Sequence, residues 1–316
     1  MSLFSSTKAI GVDPKLLRSE VATYGIPEFG TNFVRKMLVD TKPTTMDELV
    51  RISGLSHGTD VWLGNASELV ENGTATLREV ICTRDDIMNF LILCGMDKKL
   101  SFQTMESVRK GKGLKPNMEE AMLAANVPQW YIDSCKKIKY MFPRAHAAAY
   151  VMMAFRIAYC KVHLPEAFYA AYFTVRADAF DVEIASGTAQ DVTRRIKNIE
   201  AMGKKASNKD KDQQTVLELV LEMLLRGIEL LPVDIMRSDP IKFVIDGPKR
   251  LLPPLNALPG LGAKAAQQIA EARVGGPFRS QEDVMTRAHV GKSTMDIFRQ
   301  CGCLGDLPET DQVTLF

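Results

Sequence analysis

Two kinds of short segment in this 316-residue chain carry the residue types that hold phosphates. The first is Leu258-Pro259-Gly260-Leu261-Gly262, which runs directly into Ala263 to Arg273, a stretch of helical composition. Glycines at 260 and 262 allow a tight turn and a close approach to another surface, and a helix beginning just after them leaves N–H groups without carbonyl partners. Such a helix start, with Lys264 beside it, suits an anion. Amides and a lysine that meet phosphates read no base edges, so this chemistry grips a DNA backbone regardless of sequence. His289-Val290-Gly291-Lys292-Ser293, ahead of the helical stretch STMDIFRQC, offers the arrangement a second time. Two such turns can straddle one duplex, although a plain loop between packed helices is the competing reading of either.

The second kind is basic. KKIKYMFPRAHAAAYV sets Lys137, Lys139, Arg144 and His146 just ahead of a long apolar stretch, with Pro143 interrupting and alanines leaving Arg144 and His146 unobstructed. At a helix start that pair suits the clamping of a triphosphate. The alternative is that His146 caps the helix or bonds a neighbouring carbonyl. Upstream, SVRKGKGLK places Arg109, Lys110, Lys112 and Lys115 in a glycine-bearing loop fit to close over phosphates or to line a DNA groove, with surface solubility as the rival explanation. The last residues, Gln312-Val313-Thr314-Leu315-Phe316, join a polar head to a Leu-Phe end. An exposed terminus of that kind suits insertion into a pocket on a partner, unless Phe316 folds back on its own domain.

Metal chemistry finds less support. Cys301 and Cys303 lie one residue apart, whereas zinc ligands come in pairs spaced by two to four residues, and there are only four histidines. Asp85-Asp86 sits at an expected helix start, Asp178 with Asp181 in a polar connection, and Asp210 with Asp212 in a charged run; each reads as capping or as a solvated face. No metal site and no bound cofactor are therefore expected. The net charge is only +2, so contact with nucleic acid must come from local patches. No segment approaches the ~20 apolar residues of a membrane span, and the N-terminus lacks a signal-peptide pattern. Six scattered cysteines fit reduced thiols in a cytoplasmic protein.

The elements that must position these residues are mostly helices. FVRKMLVD, MDELVRISGL after Thr44-Thr45, and RDDIMNFLILCG after Thr83 carry helical spacing with start signals. From Ala147 to Val175 apolar residues recur nearly all round, with Pro165 breaking the segment into two helices, which predicts a core packed on several sides. GKKASNKDKDQQ, between Gly203 and Gln214, reads as an exposed loop leading into the helix TVLELVLEMLLRG. After Gly227 the short apolar pieces IELLPVDI and KFVIDG predict one or two strands and a new unit. At this length about two domains are expected, the fold class being mainly α with a small α+β domain.

Taken in order, FSSTKAIGV, YGIPEFGTNFVRKML, TKPTTMDELVRISGLSHGTDVWLGNA, VRKGKGL, MFPRAHAAAYVMMAFRIAYCK, LNALPGLG and CGCLGDLP closely resemble the PolC subgroup of bacterial DNA polymerase III alpha subunits, essentially end to end. The resemblance implies polymerase fingers over residues 1–231, a duplex-binding domain with tandem helix-hairpin-helix motifs over 232–308, and a sliding-clamp tail over 309–316. It places His57, Arg109, Lys110, Lys112, Arg144, His146 and Tyr150 toward the incoming dNTP. Gly260, Gly262, Lys264, Gly291 and Lys292 are placed on primer-template DNA. Gln312, Leu315 and Phe316 would anchor the clamp, with Val313 and Thr314 departing mildly from the usual tail. The magnesium-holding aspartates of the family belong to a palm preceding this region, so the chain alone is expected not to incorporate nucleotides without the palm and thumb. A stand-alone DNA- and clamp-binding accessory protein is the alternative.

Overall fold

The computed structural model describes residues 1–180 and 182–311, and of Asp178 the backbone only. The residues fall into two compact units. One joins Met1–Ala9 to Glu20–Ala158, and the other joins Ile10–Ser19 to the chain from Tyr159 onward. Helices of eight or more residues are numbered here, and shorter ones are named by their residues.

In the first unit the helices are α1 (Asn32–Thr41), α2 (Met46–His57), α3 (Arg84–Leu93), α4 (Lys98–Arg109), α5 (Pro116–Ala124), α6 (Gln129–Lys137) and the start of α7 (Arg144–His163). Several begin where the sequence places a cap. Thr31 accepts from the Val34 N–H, and at α2 the Thr45 hydroxyl and the Glu48 carboxylate each take a backbone N–H of the other residue. Each such cap contributes about 1 kcal/mol by satisfying amides that the helix leaves over. The core gathers Phe4, Phe29, Leu38, Leu49, Ile52, Ile87, Leu91 and Ile132, with Phe4 edge-on to Phe29 at 5.1 Å.

The second unit contains the end of α7, then α8 (Pro165–Val175), α9 (Ala189–Met202), α10 (Asn208–Leu225), α11 (Ala263–Val274), α12 (Gln281–Ala288) and α13 (Lys292–Gln300). The short helix Pro14–Leu17 packs here against α10. Three short strands form one sheet in the order β1-β3-β2: β1 (Glu229–Leu230) is parallel to β3 (Arg250–Leu252), and β2 (Val244–Ile245) is antiparallel to it. Phe173, Phe180 and Phe243 cluster beside the sheet with ring centroids 4.8–5.5 Å apart. Deeper in, Lys161 and Glu222 are fully buried and paired at 2.8 Å. Tyr169 donates to the same carboxylate at 2.6 Å, so no charge in this interior lacks a partner.

Three expectations need correction. The Ala147–Val175 region is not enclosed on all sides. Ala147, Val151, Ala154 and Ala158 form a buried stripe along α7, whereas Tyr150, Met152, Met153 and Tyr159 are about half exposed. Apolar content alone could not separate the small inward stripe from the large outward one. The loop after Gly203 is also shorter than its charge implies, because Ser207 and Asp210 form a capping box that starts α10 at Asn208. Finally, β3 escaped notice because Lys249 and Arg250 give its start no apolar alternation.

Candidate nucleic-acid and nucleotide interface

In the first unit a column of rings stands at the start of α7. Residues four apart share a helix face, so His146 meets Tyr150 at 4.5 Å, and it stacks at 4.8 Å on Phe142, which lies just ahead of the helix. Tyr140 closes one end against Phe142 at 5.2 Å, and His57, the last residue of α2, approaches Phe142 at 5.3 Å and His146 at 6.2 Å. The two chain segments are joined through a β-bridge between Thr59 and Tyr140. His57 is held by the Glu28 carboxylate. Tyr140 and Tyr150 are 44% and 47% exposed, so both ends of the column are open to solvent. Exposed aromatic rings can stack bases irrespective of sequence.

The basic loop lies alongside. Gly111 has φ +68°, and a Cβ there would come within 2.5 Å of the Lys139 carbonyl oxygen, so only glycine lets the loop rest against the segment that carries Tyr140. Arg109 ends α4 and, with Lys110, pairs with the Glu106 carboxylate; the Lys110 contact is 2.8 Å. The Arg109 guanidinium and then the Lys110 ammonium hold the Glu106 carboxyl down at about 2. Lys112 is exposed and in no ion pair among the described residues.

Arg144 is less open than its alanine neighbours imply. Its backbone N–H donates to Asp85 Oδ2 at 2.6 Å, and its guanidinium pairs with Asp86 at 3.3 Å and with Asp47. Asp86 also accepts the backbone N–H groups of Cys82 and Thr83. These carboxylates from α2 and α3 fix the first turn of α7 and so set the direction of His146 and Tyr150. Tyr140, Phe142 and Glu106 were not singled out from sequence, although the spacing Phe142, His146, Tyr150 already carries the column's signal.

In the second unit the two turns fold alike. Gly260 has φ +73° and Leu261 is buried, and Gly262 then caps α11 with φ −72°. Twenty-nine positions on, His289 takes the left-handed place at φ +52°, Val290 is buried, and Gly291 caps α13. Neither glycine supplies a side-chain cap, so the first amides of α11 and α13 are left for an outside acceptor. Lys264 and Lys292 are exposed in those first turns. A Cβ at Gly262 or Gly291 would meet nothing within 4 Å, so these two glycines face open space rather than relieve backbone strain. The Ile297 side chain of α13 lies 3.8 Å from a Cβ built on Gly260, so both turns belong to one small body.

Residues 1–127 match the model of the bacterial DNA polymerase III alpha subunit finger domain, and residues 227–313 that of the helix-hairpin-helix motif. The class defined is thus the finger and helix-hairpin-helix region of a bacterial DNA polymerase III alpha subunit. Over all 316 residues the chain is 58% identical to the PolC-type DNA polymerase III of Caldanaerobacter subterraneus, 57% to that of Bacillus cereus and 55% to that of Thermotoga maritima, covering 22%, 22% and 23% of them. The chain belongs to the PolC-type DNA polymerase III family and spans about a fifth of the length of these relatives.

Magnesium chemistry in such a polymerase needs clustered carboxylates. The described residues do not fit that requirement: no group of three or more His, Cys, Asp or Glu among them is placed to hold a metal ion, and Asp47, Asp85 and Asp86, which do converge, are taken up by Arg144 and by helix starts. Cys301 is partly exposed and Cys303 buried, both as free thiols. Asp181, Gln312, Leu315 and Phe316 lie outside the described residues. Among those described, no helix is long and apolar enough to cross a membrane.

Proposed function

We propose that this chain supplies the nucleotide-facing, duplex-gripping and clamp-binding parts of a DNA-directed DNA polymerase, with fingers over 1–231, duplex binding over 232–308 and a clamp tail over 309–316. The observation that carries this reading is the pair of glycine-capped helix starts, α11 and α13, on one body. It is supported by the ring column and basic loop of the first unit. Backbone amides with Lys264 and Lys292 hold primer-template phosphates without reading bases. Tyr150 and His146 present the surface against which the new base pair is checked, and Lys112, with Arg109 and Lys110 once Glu106 gives way, meets the dNTP triphosphate. Gln312, Leu315 and Phe316 anchor the sliding clamp. The chain works in the cytoplasm, and the carboxylates that hold the catalytic magnesium come from palm sequence outside these residues.

Primer extension tests the reading. The purified chain should bind duplex yet extend no primer, and extension should appear when the same sequence is joined to a palm-containing polymerase. Extension by the chain alone would overturn the assignment of the carboxylates. Removing Gln312 to Phe316 should abolish clamp association and leave duplex binding intact; clamp binding that survives the deletion sinks the tail assignment.

A further inference from the structure

Away from the hairpin turns, the second unit has a cleft of about 590 Å³ between the short helix Pro14–Leu17, α9 and α10. That volume lies within the ~300–1,000 Å³ of clefts that accept a small organic group. Its wall carries Lys15, Arg18, Arg194 and Lys197 and no carboxylate. In a chain with 40 basic and 38 acidic residues, such a one-signed wall is a local charge excess. Arg18 reaches out to Glu200 at 2.7 Å and Arg194 to Asp191 at 2.5 Å. Lys15 and Lys197 are exposed and belong to no ion pair among the described residues. Arg194 and Lys197 lie three apart on α9, and Lys15 with Arg18, the left-handed cap of the Pro14–Leu17 helix, line the same opening.

The floor has the opposite character. Leu16 is 59% exposed and Leu225 from α10 partly exposed, with Leu221 buried behind them at the bottom of the cleft. An inorganic anion has no use for that floor, whereas a nucleotide unit does: its base covers leucine while its phosphates meet lysine and arginine. We propose that this cleft binds single-stranded DNA, taking one base on the leucines and the flanking phosphates on Lys15 and Lys197. The site is separate from the hairpin turns, so the chain holds one strand here and duplex elsewhere in the same unit.

The test is fluorescence anisotropy of a labelled oligothymidylate over a sodium chloride series, with a blunt duplex measured in parallel. Changing Lys15→Ala together with Lys197→Ala should weaken strand binding about tenfold and flatten the salt dependence by roughly 1.4, at ~0.7 for each phosphate released. Duplex binding should be unchanged, and Lys15→Arg with Lys197→Arg should retain strand binding. An unaltered affinity and salt slope in the alanine variant overturns the proposal. So does competition by polyglutamate as strong as that by oligothymidylate, which would mean charge alone is recognised. Displacement by free dTTP at the same nucleotide concentration would mark a mononucleotide site instead. Failure of the hairpin reading would appear in the duplex arm only.

Discussion

Glu106 decides whether Arg109 and Lys110 are available, since one carboxylate holds both. If the loop serves a triphosphate, that carboxylate competes with it, and Glu106→Gln should tighten dTTP binding by about threefold, 1 kcal/mol being a factor of roughly five. Equilibrium binding measured with both proteins decides this, and equal affinities would remove the loop from the nucleotide's surroundings. Glu48 carries a structural counterpart. The Thr44 backbone N–H, then Arg78, the Thr44 hydroxyl and the Thr45 N–H hold its carboxyl at about 2, against the opposing effect of burial. A folded value below the unfolded ~4.3 means the contribution is complete at neutral pH and fades as pH falls through about 2. Urea unfolding should therefore find Glu48→Gln less stable at pH 7, with the gap narrowing in acid; a gap independent of pH would show that the charge contributes nothing.

At the scale of elements, the hairpin turns separate two uses of glycine. Gly260 is needed for its positive φ, so Gly260→Val should cost on the order of 1 kcal/mol in folding stability as well as weakening duplex binding. Gly262 has ordinary dihedrals and open space around it, so Gly262→Val should leave the melting temperature nearly untouched while a branched side chain fills the space proposed for a phosphate. Melting curves beside duplex titrations would show this split, and equal behaviour of the two variants would contradict it. The turns, the cap at Thr45, the helix start after Thr83 and the break at Pro165 were legible because each is written in adjacent residues. The ring column was legible only in half, since His57 joins it through the Thr59–Tyr140 bridge, a pairing of segments some eighty residues apart that local spacing does not encode. The ion pairs that tether Arg144 were hidden for the same reason: Asp47 and Asp86 arrive from other helices.

For the molecule as a whole, charge balance conceals local asymmetry: a net +2 gives no hint of a cleft whose charged lining residues are all cationic. Hydrophobic balance conceals something similar along α7. Its inward stripe is alanine and valine, and its thioethers are turned outward, with Met152 and Met153 each 51% exposed while Met37, Met105, Met122 and Met223 are buried. Thioether oxidation follows access, and a sulfoxide is polar where methionine was not. Dilute peroxide should therefore convert Met152 and Met153 first, as peptide mass spectrometry would show, and oxidation beginning at the buried methionines would contradict the exposed face. A chain built this way carries its two most exposed methionines on the helix that aims His146 and Tyr150, so peroxide exposure would alter the chemistry of that helix surface before it disturbed the fold.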